Sequence, residues 1–229
     1  MRSTAVDPLV LQRFIPGLTA RVAAELAASA RAATYKRGET VLAPDAPLVP
    51  ALVAEGAVRL TVHAADGREA TVRAPGQGSM FGLVSLFDSQ RNPVRVERSV
   101  VALETSTVIL FDPGTLLRVA TANAGVALHI ARSLADSASV LTDTAGQLAF
   151  MTVRQRLAGH LLAIAVGGEH GRRVVRATQQ ELAGSIGTVR EVVARTLHDL
   201  RDEGLVTVSP RQIEIVDEQG LSEITFGVT

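Results

Sequence analysis

The stretch TQQELAGSIGTVREVVARTLHDLRDEGLVTV, residues 178–208, decides the fold of the C-terminal part of this chain. Thr178 and Glu181 stand three residues apart, which is the spacing of a capping box, and this predicts that a helix starts there. Gly187 then permits the tight turn that ends this helix, because glycine adopts left-handed backbone angles without steric cost.

A second helix is predicted directly after this turn. Thr188 and Glu191 repeat the capping spacing and predict its start. Two capped helices joined across one glycine indicate a helix-turn-helix.

The second helix has two chemically different sides at about 100° per residue. One side is expected to anchor the helix in a core, and it carries Val189, Val193, Thr196, Leu197 and Leu200. The opposite side is expected to project from the core, and it carries Arg190, Glu191, Ala194, Arg195 and His198. The small side chain of Ala194 lets this side approach another surface closely.

The projecting side suits contacts to DNA bases. Arginine can donate two hydrogen bonds to guanine O6 and N7, and glutamate can accept one from cytosine N4. The alternative is an ordinary solvated face, in which Glu191 and Arg195 form an i,i+4 ion pair. The charge pattern alone favours this alternative, but the caps, the glycine turn and the hairpin that follows favour DNA reading.

The elements that precede and follow the two helices are typical of a winged helix. A β-hairpin is expected to pair Val206 and Val208 with residues 213–215 across a turn at Ser209-Pro210. A helix over about residues 153–166 is expected to precede the helix-turn-helix.

A longer helix is predicted over residues 123–149, after a helix that starts at Asp112-Pro113. A mainly apolar stripe runs along it in steps of three or four residues, interrupted by two hydroxyl residues that make it an imperfect seam. It is formed by Val126, Ile130, Leu134, Ser137, Leu141, Thr144 and Leu148. Such a stripe favours a seam for another helix. The alternative is packing against the chain's own N-terminal domain.

The N-terminal part of the chain changes from a predicted helical segment to a series of predicted strands. Residues 9–33 are rich in alanine and are expected to be helical. From Thr34 to Asp112 the chain shows short β-type runs, with a hairpin turn signal at Asp66-Gly67. The runs cover residues 58–62, 70–73, 99–103 and 107–111. Many short strands at this spacing indicate a barrel or a sandwich.

Composition excludes several classes of function. The chain has 23 basic and 23 acidic residues, so net charge does not indicate a nucleic-acid partner. The absence of cysteine excludes disulfides, thiolate nucleophiles and cysteine-ligated metal centres. No catalytic fingerprint is present and the histidines lack metal-ligand spacing, so neither an enzyme nor a metal site is predicted. With no signal peptide and no apolar run near ~20 residues, we expect a soluble cytoplasmic protein without membrane contact.

Taken together, these elements resemble the cyclic-AMP receptor protein and FNR (CRP/FNR) family of bacterial transcription regulators. The similarity runs from about residue 34 to 216, and its most specific part is Arg190-Glu191 with Arg195. It implies an α+β fold with an N-terminal cyclic-nucleotide-binding-like β-barrel (a jelly roll), a long dimerisation helix and a C-terminal winged helix-turn-helix. The expected domains are the sensor at 1–122, the dimerisation helix and hinge at 123–150, and the DNA-binding domain at 151–229.

The resemblance also implies which residues contact DNA. Arg190, Glu191 and Arg195 would contact base edges in a TGTGA-like half-site. Thr178 and Gln180 match family positions that touch the DNA backbone. A homodimer would read a palindrome in double-stranded DNA with half-sites about 34 Å apart, and RNA polymerase is a further partner that the resemblance implies.

A small ligand would bind between the barrel and the long helix in such a protein. Gly82, Arg98 and Ser99 match the ligand cassette, and Thr142 matches an adenine-contacting position on the long helix. Leu83 departs from the family pattern, because it replaces the glutamate that accepts a hydrogen bond from the ribose 2′-hydroxyl. No cofactor is required; cyclic AMP or another small effector is a candidate, and Leu83 counts against cyclic AMP.

The sequence therefore predicts a homodimeric DNA-binding transcription regulator, under allosteric control where a ligand binds. The alternative is a nucleotide-sensing module that acts through protein contacts rather than DNA. Binding to DNA that weakens with salt would favour the regulator, because phosphate contacts release counterions.

Overall fold

The computed structural model describes residues 3–64, 69–87, 97–168, 172–209 and 212–227. The chain folds into two compact units. The first comprises residues 1–64 and 72–141, and the second comprises residues 65–71 and 142–229. The turn predicted at Asp66-Gly67 and residue Pro210 of the wing turn lie outside the described residues.

The N-terminal region contains two helices, α1 (Pro8–Phe14) and α2 (Ala20–Ser29), rather than one helical stretch over residues 9–33. Asp7 caps α1 and Thr19 caps α2, and the intervening chain is not helical. Residues 31–33 belong to a strand. The prediction was wrong there because pairing with a distant strand outweighs the helix propensity of alanine.

The first unit, which we name the sensor unit after its predicted role, is built from two antiparallel sheets. One sheet has the order β1-β2-β9-β4-β7 and the other β3-β8-β5-β6. The strands are β1 (Ser3–Thr4), β2 (Arg31–Tyr35), β3 (Thr40–Leu42), β4 (Ala51–Glu55), β5 (Val58–His63), β6 (Glu69–Arg73), β7 (Met80–Phe81), β8 (Glu97–Ala102) and β9 (Ser106–Leu110). All four predicted β-type runs are confirmed as strands.

The two sheets pack on a shared apolar core. It takes residues from both sheets, among them Ala51, Val53, Val58, Val100 and Val108. This arrangement is that of the predicted jelly roll. A short 3₁₀ helix, Leu83–Leu86, follows β7.

Two helices follow the sheets, α3 (Pro113–Ala122) and α4 (Ala124–Phe150). The predicted start of α3 is confirmed, since Asp112 Oδ1 accepts a hydrogen bond from Thr115 N at 2.8 Å and proline occupies the first turn. The 27 residues of α4 match the predicted long helix.

The apolar stripe of α4 divides into two parts. Val126 and Ile130 are buried in a second apolar core of the sensor unit, which lies between its helices and the sheet that contains β4 and β9 and which we call the sensor core. Leu134 packs against this core. This part of the stripe therefore packs on its own domain, which the sequence had offered as the alternative to a seam. Further along, Leu141 and Leu148 are 49% and 51% exposed.

The second unit combines helices with a small sheet of order β10-β11-β13-β12. Its elements are α5 (Val153–Ile164), β10 (Val166–Gly167), β11 (Arg173–Val175), α6 (Gln179–Ile186), α7 (Arg190–Asp202), β12 (Val206–Ser209), β13 (Gln212–Ile215) and α8 (Glu218–Phe226). The wing pairs Val206 with Ile215 and Val208 with Ile213, as predicted. Helix α8 was not predicted; it buries Leu221 in the core of this unit.

Candidate DNA-binding surface and effector site

The start of α6 is fixed by the predicted capping box. Thr178 Oγ1 accepts from the backbone N–H of Glu181 at 3.2 Å, and Glu181 Oε2 accepts from the backbone N–H of Thr178 at 2.7 Å. The helix ends at Gly187, which adopts left-handed angles of φ 67° and ψ 50°. The first half of the helix-turn-helix is therefore specified by local sequence.

The start of α7 differs from the prediction. The helix begins at Arg190 after an extended Val189, and no side chain caps it. The predicted cap at Thr188 is wrong because the backbone N–H of Thr188 still donates to Ala183 O, at 3.0 Å, to close the end of α6. Thr188 thus belongs to the turn, and Val189, expected as an anchor, is exposed.

The remaining anchor residues of α7 are buried as predicted. They are Val193, Thr196, Leu197 and Leu200. The Thr196 hydroxyl donates to Val192 O at 2.9 Å, so its burial leaves no unpaired polar group. One side of α7 is thereby held in the core formed with α5, α6 and the wing.

The opposite side of α7 is presented to the surroundings. Arg190, Glu191, Arg195 and His198 are exposed, and Ala194 is half-buried. Within the described residues, the i,i+4 ion pair between Glu191 and Arg195 is not formed. His198 instead pairs with a carboxylate nearer the helix end, with Nδ1 3.0 Å from Asp202 Oδ2.

Other arginines of this unit are paired with carboxylates. Arg154 makes a two-pronged contact with Glu203, which raises the pKa of Arg154 and lowers that of Glu203. Arg172 pairs with Glu214. Because Arg190 and Arg195 have no such ion pair in the described structure, their charges are available on the projecting side of α7.

The two predicted DNA-backbone contacts lie at the start of α6. Thr178 is its N-cap and Gln180 its second residue, and both are exposed. A helix N-terminus carries partial positive charge from its backbone N–H groups, which suits an approaching phosphate.

The predicted effector residue Gly82 and its neighbour Leu83, which departs from the family pattern, have structural roles. Gly82 has φ 73°, and a Cβ atom there would lie 2.1 Å from Val49 O. Leu83 is only 3% exposed and belongs to the sensor core. The backbone of Gly82 therefore lies close to the Val49 carbonyl of the same chain, and this contact by itself explains why a glycine is needed there.

Arg98 and Ser99 occupy successive positions of β8, so their side chains leave opposite faces of the strand. Ser99 is buried, and its Oγ lies 2.7 Å from His63 Nε2. The spacing of the histidines does not predict this contact. Arg98 is exposed. Thr142 is exposed on α4. The structure does not bring the hydroxyl of Ser99 and the guanidinium of Arg98 to one point.

Neither a metal cluster nor a membrane helix is found where the structure describes the chain. No group of three or more histidine, cysteine or acidic side chains there could hold a metal ion. No helix among those residues combines the length and apolar character that crossing a membrane requires.

Comparison with known proteins covers both units. A family model described as a cyclic nucleotide-binding domain matches residues 32–123, and one described as a Crp-like helix-turn-helix domain matches residues 155–224. The chain is 33% identical over 180 residues to the cyclic AMP receptor protein of Thermus thermophilus, covering 77% of this chain and 79% of that protein.

Two solved structures share the fold at 20% identity. A CRP/FNR-family regulator from Eubacterium rectale superposes with a TM-score of 0.79, covering 93% of this chain and 99% of that one. The c-di-GMP responsive global regulator CLP of Xanthomonas campestris gives a TM-score of 0.75, covering 92% and 100%. The Eubacterium rectale protein is described as a transcriptional regulator and the Xanthomonas campestris protein as a global regulator. The chain belongs to the CRP/FNR family of transcriptional regulators, with a helix-turn-helix DNA-binding domain.

Proposed function

We propose that the protein is a homodimer that reads a TGTGA-like palindrome through the projecting side of α7. The observation that carries this proposal is the exposure of Arg190, Glu191 and Arg195 on one side of a helix whose other side is buried. Both guanidinium groups can donate in pairs to guanine, and the carboxylate can accept from cytosine. Half-buried Ala194 between them permits a close approach to the groove.

Thr178 and Gln180 position the domain on the DNA backbone in this proposal. Thr178 caps α6 and Gln180 lies in its first turn, where phosphate oxygens would meet backbone N–H groups. Such contacts set the register of the protein without reading sequence.

We assign the sensor to residues 1–122, the dimerisation helix and hinge to 123–150, and the DNA-binding domain to 151–229. The exposed leucines in the second part of α4, Leu141 and Leu148, support a helix seam between two copies. A two-fold dimer presents two recognition helices and therefore matches a palindromic operator. RNA polymerase is a further partner in this proposal.

The effector site is proposed from Gly82, Arg98, Ser99 and Thr142, with a small ligand as the occupant; cyclic AMP is the candidate that Leu83 counts against. A relative is named as a cyclic AMP receptor protein, and a protein of the same fold is described as c-di-GMP responsive. The buried Leu83 side chain offers no hydrogen-bond acceptor, which disfavours tight binding of a ribose hydroxyl.

Selection of bound sequences from random DNA, followed by fluorescence anisotropy, tests DNA reading. We expect a palindrome from the selection, and Arg190→Ala should weaken binding to it by roughly 1–3 kcal/mol while relaxing preference at one G·C pair. Arg201→Ala is the control, because Arg201 lies near the end of the same helix and contacts Asp202.

Two results would contradict this proposal. If Arg190→Ala bound random and palindromic DNA as the parent does, base reading by Arg190 would be wrong. If the parent bound no DNA, or bound it without dependence on salt, a module that acts through protein contacts would be favoured.

A further inference from the structure

Arg73, the last residue of β6, contacts the long helix. Its Nη1 donates to Ser137 Oγ at 2.5 Å and to Met80 O at 3.2 Å. The Ser137 hydroxyl donates in turn to Ser133 O, one helical turn back, at 2.7 Å. The single hydroxyl proton of Ser137 is thus used in the bond to Ser133. Ser137 Oγ can therefore only accept in its contact with Arg73, and Arg73 is the donor.

Partial burial of the Arg73 guanidinium group is unfavourable unless hydrogen bonds compensate for the lost water, so the two bonds of Nη1 are needed to hold the side chain there. Burial lowers the pKa of Arg73, and the charge of Asp136 only partly opposes that effect. A half-buried cation is retained at such a position where its hydrogen bonds replace those to water. Both partners of Nη1 are neutral oxygens.

The contact joins two segments with different surroundings. Met80 belongs to β7 and lies two residues before Gly82, which directly precedes the 3₁₀ helix. Ser137 marks the point at which α4 leaves its packing on the sensor core, because Leu134 still contacts that core whereas residues 138–143 are all exposed. Arg73 thus fastens the helix at the end of its packed part.

We propose that Arg73 is a positioning residue that couples the sensor domain to the long helix through Ser137. While the contact holds, the helix is fixed to the sensor as far as residue 137; when it is lost, the exposed part of α4 gains freedom one turn earlier. This inference rests on the proposed function, since the change in α4 reaches DNA only in a DNA-reading dimer.

Three variants test the coupling, two that weaken the contact between Arg73 and residue 137 and one that strengthens it. Arg73→Gln and Ser137→Ala weaken the contact, whereas Ser137→Asp strengthens it, because a carboxylate bonds a guanidinium more strongly than a hydroxyl does. We expect the first two to change the Kd for the selected DNA at least threefold in one direction and Ser137→Asp to change it in the other. The double variant Arg73→Gln/Ser137→Ala should match the single variants, since both remove the same interaction.

Hydrogen exchange of the full-length protein without DNA gives an independent readout. Amides of residues 130–141 should exchange at least threefold faster in Arg73→Gln than in the parent. Ser139→Ala is the matched control, because Ser139 is an exposed serine two residues along the same helix, and it should leave both readouts unchanged.

Additive effects in the double variant, the same sign for Ser137→Ala and Ser137→Asp, or unchanged exchange in Arg73→Gln would each overturn the proposal. If the parent binds no DNA, the proposed function fails, and the exchange result still decides whether Arg73 fastens the helix.

Discussion

Two neighbouring residues, Gly82 and Leu83, define the chain where β7 ends. The left-handed backbone of Gly82 brings it against the Val49 carbonyl, and the next residue turns its side chain into the sensor core. Both residues have a packing role that does not depend on a ligand. A family ligand position can therefore be kept as glycine for reasons of folding alone.

The substitution Gly82→Ala should destabilise the sensor domain strongly. An alanine at positive φ costs about 1–2 kcal/mol, and its Cβ would also overlap Val49 O at 2.1 Å. We expect the free energy of unfolding, measured by urea denaturation, to fall by about 3 kcal/mol or more. Gly38→Ala is the control, because Gly38 has a φ of 84° but no atom within 4 Å of its Cβ position. An equal loss in both variants would contradict the role of the Val49 contact.

At the scale of elements, the 27-residue helix α4 has different surroundings in its first and second parts. Its first part is a core helix of the sensor, and its second part exposes leucines that have no partner in the sensor core. An apolar stripe has the same spacing whether it meets a domain or another helix. The periodicity of α4 could thus predict a buried side but not which surface covers it.

The double variant Leu141→Glu/Leu148→Glu should separate the dimer. Burial of each leucine contributes about 1.5–3 kcal/mol, so the dimer dissociation constant should rise on the order of 100-fold or more. Sedimentation velocity measures the change.

The control for the dimer is Leu128→Glu. Leu128 is also 51% exposed on α4, but it lies about 150° around the helix from the other two. A dimer that survives the double variant, or one that Leu128→Glu disrupts equally, would show that the seam lies elsewhere.

At the scale of the whole molecule, the residues proposed for DNA reading lie in a different unit, with a different core, from Gly82, Arg98 and Ser99 of the proposed effector site. The side of α7 that we propose to read DNA keeps the charged residues that the family resemblance implies, Arg190, Glu191 and Arg195. The sensor lacks an acceptor at Leu83, and Ser99 already contacts His63. The two functions are therefore supported unequally by the residues present.

Cyclic AMP is expected to bind this protein weakly for that reason. Calorimetric titration should show no micromolar binding, and Arg98→Ala should behave as the parent does. The Thermus thermophilus relative serves as the reference protein. Clear micromolar binding by the parent would contradict this expectation, and reciprocal linkage would then require the ligand to change DNA affinity by the same factor as DNA changes ligand affinity.

Local sequence was sufficient wherever a feature depends on residues three or four apart. The Thr178–Glu181 capping box, the cap at Asp112 and the turn at Gly187 form as predicted because their partners lie within one helical turn. The pairing of the wing also follows from local alternation and a short turn. The Thr178–Glu181 capping box, the turn at Gly187 and the wing are the local features from which the helix-turn-helix, and hence the family, can be predicted.

Tertiary structure decided what depends on distant partners. The strand at residues 31–33 forms by pairing with β9, although alanine alone favours a helix there. Thr188 fails as a cap because the end of α6 holds its backbone. The contact between Arg73 and Ser137 spans 64 residues, and no local pattern predicts that these two residues meet. The sequence by itself determined the helix-turn-helix, whereas only folding determined which surface covers each apolar stripe, because periodicity encodes a buried side and not its partner.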